Sequence, residues 1–256
     1  MTAREPGRRI GHTIHRLGAV ASTQGEAAVL AAAGAADGTV VTATHQSAGR
    51  GRRGRPWLDA PGESLLMSIL LRPPIPPGWA PQLSLVAAVA VVEALDTMGV
   101  TSAIRWPNDV MVAERKMCGM LSEAVTTHER TLEHVILGIG LNVNQNGFPA
   151  PLRGLATSVR IETGRPHAVE ETLGAVLAAL DRRYRHFLEG GLGALRPAWL
   201  GRAQSIGRRT RAADGTEGIA VDLDADGALL LRTDGGETVR VVAGDVTMEA
   251  VHAAGH

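Results

Sequence analysis

The chain has 256 residues, 45% of them hydrophobic, enough to bury a substantial core as one large domain or as one domain with a small appendage. Its 26 basic and 26 acidic residues cancel, which argues against a general polyanion binder and makes any basic function local. The single cysteine, Cys118, excludes an intrachain disulfide and a cysteine zinc cage.

The first twenty residues, MTAREPGRRIGHTIHRLGAV, are basic but lack an apolar run of signal-peptide length. No stretch approaches 18 apolar residues free of charge, so the expectation is a cytoplasmic protein without a membrane span. Residues 22–34, STQGEAAVLAAAG, read as a helix, with Thr23 and Glu26 fitting a capping box and Gly34 a stop. Residues 39–44, TVVTAT, form a strand that runs into HQSAGRGRRGRPW at 45–57. SLLMSILLR (64–72) is a continuous apolar run suited to a buried strand, and PPIPPGWAP is a break. Residues 82–99 read as an apolar core helix ending at a glycine, followed by a short strand TSAIRW and a Pro-Asn-Asp turn. KMCGMLSEAVT (116–126) and LEHVILGIGLNVN (132–144) read as a hairpin joined near THERT. Residues 168–190 are amphipathic, with acids at the start and bases near the end, as a helix dipole favours. From residue 203 the composition shifts to short β-like runs (RRTRAA, GIAVDLD, ALLLRT, TVRVV, VTMEA) punctuated by Asp-Gly turns. The expected architecture is an α+β body over 1–202 and a compact SH3-like β-barrel over 203–256.

Residues 49–55 hold four arginines and three glycines with no acid. Gly49, Gly51 and Gly54 spell a G-x-G-x-x-G, but Pro56 and Trp57 follow where a dinucleotide fold needs a helix, and Pro74 stands where its acid would be. A Walker lysine with its Ser or Thr is also missing. Three readings remain for the loop alone: a nucleic-acid segment, a solvated loop, and a clamp over a small phosphate ligand. The second polar cluster decides among them. Asn108 and Asp109, Lys116 and Gly119, then Asn142 and Asn144, all sit at strand ends or within strands. Each alone is more often a turn former or a surface residue. Together with the loop they supply cations, a carboxylate and amides, the inventory for handling a nucleotide phosphate. The nine histidines do not show metal-ligand spacing, and Cys118 reads as a packed core thiol.

STQ, HQSAGRGRRGRPW, RWPNDV, RKMCGML and GIGLNVNQ closely resemble the signature blocks of biotin–protein ligases, in order and in spacing, over residues 12–248. The resemblance implies a mixed central sheet with flanking helices, similar to class II synthetases, and a small C-terminal β-domain. It implies ATP-dependent formation of biotinyl-5′-AMP, then transfer of biotin to a lysine of a biotin carboxyl carrier domain of an acyl-CoA carboxylase. Lys116 then contacts both the biotin carboxylate and the α-phosphate. Arg50 and Arg52, with the Gly49 and Gly51 backbone, lie against biotin and its activated carboxyl, and Arg53 and Arg55 serve phosphate contact or loop closure. Ser22, Thr23, Gln24 and Gln46 belong to the biotin side, where Gly119 permits close approach. Trp57 packs on adenine, Asn108 and Asn142 contact the nucleotide, and Asp109 positions magnesium or the incoming lysine. Magnesium is expected to arrive with ATP rather than in a dedicated site.

Three positions depart from the family's common pattern: Ala21 where Asp is frequent, Gln24 where Asn is usual, and Arg105 in place of Lys. Fewer than 20 residues precede the first block, too few for a winged-helix DNA-binding domain, so a monofunctional enzyme without a DNA partner is expected. The oligomeric state, monomer or homodimer, is left open. The rival readings are a lipoate or octanoate ligase of the same fold, and a nucleic-acid binder using the arginine loop.

Overall fold

Side-chain alternation along the strands sets the architecture. The computed structural model describes residues 9–242 and 244–248. Its larger sheet has seven strands: β1 (Ile14–Val20), β2 (Val40–Gln46), β3 (Ser64–Leu71), β4 (Ala103–Arg105), β5 (Asp109–Val112), β6 (Arg115–Thr126) and β7 (Leu132–Asn142). They lie in the order β1-β2-β3-β7-β6-β5-β4. β1 and β2 are parallel, joined through α1 (Thr23–Ala32), and the other pairs are antiparallel, so the sheet is mixed. The hairpin expected near THERT is β6–β7, with Arg130 in a left-handed conformation in the turn. β1 and β5 escaped the sequence reading: both are short or half exposed and lack a clean apolar period.

β3 is buried along its whole length because both its faces are covered. Leu65, Met67, Ile69 and Leu71 enter the main core, while Leu70 joins Val41 and Ile136 under α1 on the other face. The main core lies beneath α2 (Gln82–Thr97) and α4 (Val169–Leu200), which pack on each other; a short α3 (Val159–Thr163) precedes α4. α2 with its lead-in from Pro77 is long and apolar enough to cross a membrane, yet 78% of that window is buried inside the fold. The helix expected over 168–190 continues to Leu200. Gly191, at φ 61°, breaks it, and a second segment buries Leu192, Leu195 and Trp199. The Gly-Gly pair reads locally as a stop, and only the core pulls the chain back into a helix.

Glu93 of α2 ties the two core helices by bonding Arg182 and Arg183 of α4. Burial pushes its carboxyl up, but hydrogen bonds and charge from Arg183 and Arg182 win and hold it below the ordinary glutamate value of 4.5. A carboxyl depressed on folding stabilises the protein above its unfolded pKa and loses that contribution as pH falls through the folded one. Glu93→Gln is therefore expected to cost about 1–2 kcal/mol in urea unfolding at neutral pH, and progressively less as the pH falls below the ordinary glutamate range and Glu93 is protonated in the folded state too. An equal cost at neutral and acid pH would mean that the charge does not matter.

Residues beyond Leu200 form a second sheet of β8 (Arg209–Ala212), β9 (Glu217–Leu223), β10 (Leu229–Arg232), β11 (Thr238–Val241) and β12 (Val246–Met248). The order is β11-β10-β9-β8-β12, all antiparallel. This five-stranded antiparallel order is consistent with the expected SH3-like β-domain, although among the described residues no pairing joins β11 to β12 to close a barrel. Ends of the expected units, 1–8 and 249–256, and with them the tail of VTMEA, lie outside the described residues. The two sheets share one hydrophobic cluster, to which Ala220, Leu223, Leu229 and Leu231 contribute. Ile104 N–H donates to Arg202 O (2.7 Å) and Trp106 Nε1 donates to Gly227 O (3.0 Å), so the second sheet is anchored beside β4 and β5.

Candidate active site

The floor of a 390 Å³ cavity is one face of β7 and β6. Gly138, Gly140 and Asn142 point the same way from β7, about 7 Å apart along the strand. Gly119 of β6 stands directly opposite Gly140. These glycines leave room for what lies on them. A Cβ at Gly138 would fall 3.1 Å from the Gln24 side chain, and one at Gly140 only 2.6 Å from the Trp57 indole. The floor therefore orders three stations along β7: Gln24, Trp57, then Asn142.

The first station is polar and buried. Ser22 caps α1 by accepting from Gln24 N–H (3.3 Å), which corrects the expectation that Thr23 is the cap. Thr23 is the first helical residue instead, and both its N–H and its hydroxyl face Gln46 Oε1, at 2.7 and 3.0 Å. Ser68 of β3 lies 2.8 Å from the same hydroxyl. Gln46 is in turn held by Asp59, whose buried carboxylate accepts from Gln46 N–H at 3.3 Å and contacts His45 Nδ1 at 2.9 Å. Gln24 Nε2 donates to Glu123 Oε2 (2.9 Å), and Arg50 Nη2 donates to the same oxygen (2.9 Å).

Lys116 dominates the middle station. In a regular strand, Lys116 and Gly119 would face opposite sides. The pairing of β5 with β6 slips between Val110 and Met111, so Met117 and Cys118 both turn into the core. That bulge brings Lys116 onto the cavity face beside Gly119. Lys116 Nζ sits 2.7 Å from Asp109 Oδ1 and 5.8 Å from the centroid of the Trp57 ring. Its backbone is fixed from the other side: Lys116 N–H donates to Leu155 O (2.8 Å) and Thr157 N–H to Lys116 O (2.9 Å). Full burial pushes the Cys118 thiol up, in keeping with a packed core thiol rather than a nucleophile. Trp57 returns from the arginine loop onto the glycine floor, beside Lys116, because Gly140 leaves space there.

The arginine loop roofs the cavity. Gly51 N–H donates to Arg55 O and Trp57 N–H to Gly49 O, closing the loop on itself. Arg53 adopts φ 56°, a left-handed conformation that disfavours a residue with a Cβ. Arg52 Nη1 donates to Asn108 Oδ1 (2.8 Å), and Asn108 in turn donates to Met120 O. Burial lowers the affinity of the Arg52 guanidinium for its proton, against the pull of Asp245 and Asp109. A cation stripped of part of its water in this way attracts an anion. Asn142 donates to Thr157 O (3.0 Å), and Phe148, Leu152 and Leu155 make an apolar wall at that end.

Of the candidate site residues singled out in the sequence, all but Gly49, Arg53 and Asn144 line the cavity, and Asn144 instead bonds the His167 backbone. Gly49 lies behind it against Trp57 O and Gln46, and Arg53 points toward Asp245. The sequence reading missed Gly138, Gly140, Ser68, Glu123 and the wall at 148–155. The alternation of Gly138, Gly140 and Asn142 in GIGLN was a usable signal; the wall has no period to detect. Among the described residues no group of three His, Cys, Asp or Glu gathers to hold a metal.

A buried polar pocket, a lysine–carboxylate pair at the centre and an arginine roof make a cavity suited to an anionic ligand. Residues 19–142 match the biotin/lipoate A/B protein ligase family, and residues 205–248 match the biotin protein ligase C-terminal domain. The bifunctional ligase/repressor BirA of Bacillus subtilis is 39% identical over 223 residues, covering 85% of this chain and 68% of that protein. The biotin–[acetyl-CoA-carboxylase] ligase of Paracoccus denitrificans is 36% identical, over 85% of this chain and 93% of its own. The biotin protein ligase of Aquifex aeolicus, solved with biotin and ATP, superposes with a TM-score of 0.80 at 28% identity, over 93% of this chain and 98% of that one. The chain belongs to the biotin protein ligase family.

Proposed function

We propose that this protein activates biotin with ATP, forming biotinyl-5′-AMP, and transfers the biotinyl group to a lysine of a biotin carboxyl carrier domain. The observation that carries this reading is the bulge in β6, which sets Lys116 Nζ between a buried polar pocket and the arginine roof. In the first half-reaction a carboxylate oxygen of biotin attacks the α-phosphorus of ATP, and the bond to pyrophosphate breaks. Nucleophile and electrophile are both anionic, so the barrier is dominated by their repulsion unless fixed cations neutralise it. Lys116 supplies that charge at the reacting atoms, and Arg52 and Arg50 extend it over the roof. In the second, the acceptor amine attacks the carbonyl of the mixed anhydride, AMP leaves, and the amine loses a proton. Asp109, already paired with Lys116, is the carboxylate placed to orient that amine.

Ser22, Thr23, Gln24 and Gln46 take the ureido ring, whose N–H and C=O groups need buried partners of this type. Gly49 and Gly51 admit the loop backbone to the ligand, and Gly119 admits the ligand to the strand. Asn108, Asn142 and the apolar wall receive the nucleotide, with Arg55 at the cavity's edge and Arg53 on the loop's outer side. Magnesium enters with ATP, and Asp109 is within the cavity to meet it. In this reading residues 1–202 carry both half-reactions and 203–256 form an accessory β-domain.

Mass spectrometry of the protein with ATP, magnesium and either biotin or lipoate, without acceptor, tests the assignment. Biotinyl-AMP is the expected product. Lipoyl-AMP instead would move the substrate to another acid of the same family, and neither adenylate from folded protein would overturn the reading.

A further inference from the structure

The cavity has a third branch, running across the strands rather than along β7. Residues paired directly across a sheet share a face, and the pairs Gly140–Gly119, Gly119–Asp109 and Asp109–Arg105 make one row from β7 to β4. At ordinary strand spacing Arg105 starts roughly 10 Å from Gly119, on the far side of Asp109 from the glycine floor. Its side chain is mostly buried and lines the cavity with Met111 and Glu114. Asp109, its direct neighbour, is engaged by Lys116 at 2.7 Å. Arg105 is held instead from the outer side, where its Nη2 donates to Glu114. Glu114 is itself fixed by residues that follow the long helix: Gln204 Nε2 donates to it at 3.0 Å and Arg208 Nη1 at 3.3 Å. The Nε–H of Arg105 is buried and has no partner among the described residues. A buried donor on a charged group costs free energy in that state, and a bound anion recovers it.

The first half-reaction calls for an anion site there. Attack at the α-phosphorus separates three bodies: the acid, the nucleotide and the leaving group. The polar pocket at Gly138 and the wall beyond Asn142 take the first two, both along β7. The attacking and leaving oxygens stand roughly in line across phosphorus. With the acid arriving over the β7 glycines, the leaving group departs across the sheet toward β4.

Resting on the ligase reading, we propose that Arg105 receives the pyrophosphate leaving group. As the biotin oxygen bonds to the α-phosphorus, the bond from that phosphorus to the bridging oxygen breaks, and its electron pair stays on pyrophosphate. Arg105 neutralises the charge that grows there, and no proton changes hands. Glu114 holds one edge of the planar guanidinium and leaves its other N–H groups to the phosphate oxygens. The role is confined to the first half-reaction, because no pyrophosphate is present when the acceptor amine attacks.

That confinement supplies the test. The first half-reaction is read by exchange of labelled pyrophosphate into ATP in the presence of biotin and magnesium. The second is read alone, from preformed biotinyl-AMP and a purified biotin carboxyl carrier domain. Arg105→Met keeps an apolar stem and removes the charge. It is expected to lower exchange roughly 10- to 100-fold, and to raise the pyrophosphate concentration for half-maximal exchange about tenfold, as for the loss of a hydrogen-bonded charge. Transfer from biotinyl-AMP proceeds at the parent rate, which also shows that the variant is folded. Arg105→Lys, which keeps the charge without the planar fork, recovers part of the exchange. Equal loss in both half-reactions at the parent melting temperature overturns the proposal, because it assigns Arg105 to the adenylate or to the shared site. So does a loss confined to transfer, which places Arg105 with the acceptor, and so does a parent-like pyrophosphate dependence in Arg105→Met. If Arg105→Met melts early, Arg105→Lys decides, and an unchanged pyrophosphate dependence there overturns the proposal. Calorimetric titration with magnesium pyrophosphate separates the proposal from the ligase reading. Pyrophosphate binding that weakens in Arg105→Met, in a protein whose parent makes no adenylate, keeps the anion site and removes the ligase reading. Adenylate formation with pyrophosphate binding indifferent to Arg105 does the reverse.

Discussion

Lys116→Ala is expected to lower the rate of biotin-dependent adenylate formation by about 10²–10³, equivalent to roughly 2.7–4 kcal/mol of barrier. The loss is large because nothing nearby replaces the charge. Asp109 sits 2.7 Å from Lys116 Nζ, and without the lysine its carboxylate becomes an unpaired anion at the point where biotin's carboxylate and the α-phosphate must meet. Biotin binding itself is expected to survive, because the buried polar pocket at Ser22, Thr23 and Gln46 lies one station away along β7. Lys116→Arg restores little, because a planar guanidinium does not mimic a point charge. Equilibrium binding of biotin together with single-turnover adenylate formation checks both halves. Adenylate formation at the parent rate in Lys116→Ala would remove the lysine from the mechanism.

Gly140→Ala is the second large effect, and it acts through shape. The added methyl would fall 2.6 Å from Cε2 and 2.8 Å from Cζ2 of Trp57, closer than real contacts allow, so the indole must leave the floor. Trp57 N–H is bonded to Gly49 O at the base of the loop, and moving the ring shifts that base. Forcing a side chain off its packed position typically costs about 1–3 kcal/mol. Here most of that cost falls on the closed loop, so kcat/KM is expected to drop about 10- to 100-fold while the melting temperature changes little. Gly25→Ala, with open space around it, provides the control and is expected to behave as the parent. Tryptophan fluorescence should register the displaced ring in Gly140→Ala alone. Parent-like fluorescence and kcat/KM would mean that the floor tolerates a side chain and that Trp57 does not need it bare.

The legible part of this protein was local. The β-branched run at 39–44 and the apolar runs at 64–72 and 82–99 announced β2, β3 and α2, because burial on one or both faces leaves its period in the residues themselves. The arginine loop and the blocks around Asn108, Lys116 and Asn142 were visible as chemistry, because closely spaced charges and amides are unusual in apolar surroundings. The strand order of the C-terminal sheet and the helix beyond Gly191 were not visible. Turn residues mark where strands and helices pause; they do not say which edges pair or whether a helix resumes against a core.

Composition and motif order determined that the chain has an α+β body, a β-rich C-terminal region and an anion-handling loop. Tertiary structure alone decided how those parts make a site. The bulge that turns Lys116 to the cavity depends on the pairing of β5 with β6, and a one-residue slip there reverses which side chains are buried. Ser22 rather than Thr23 caps α1, which frees Thr23 to face Gln46 and Ser68. Asp245 meets Arg55 across 190 positions of sequence, and a contact of that span leaves no local pattern because its energy appears only once both sheets have folded.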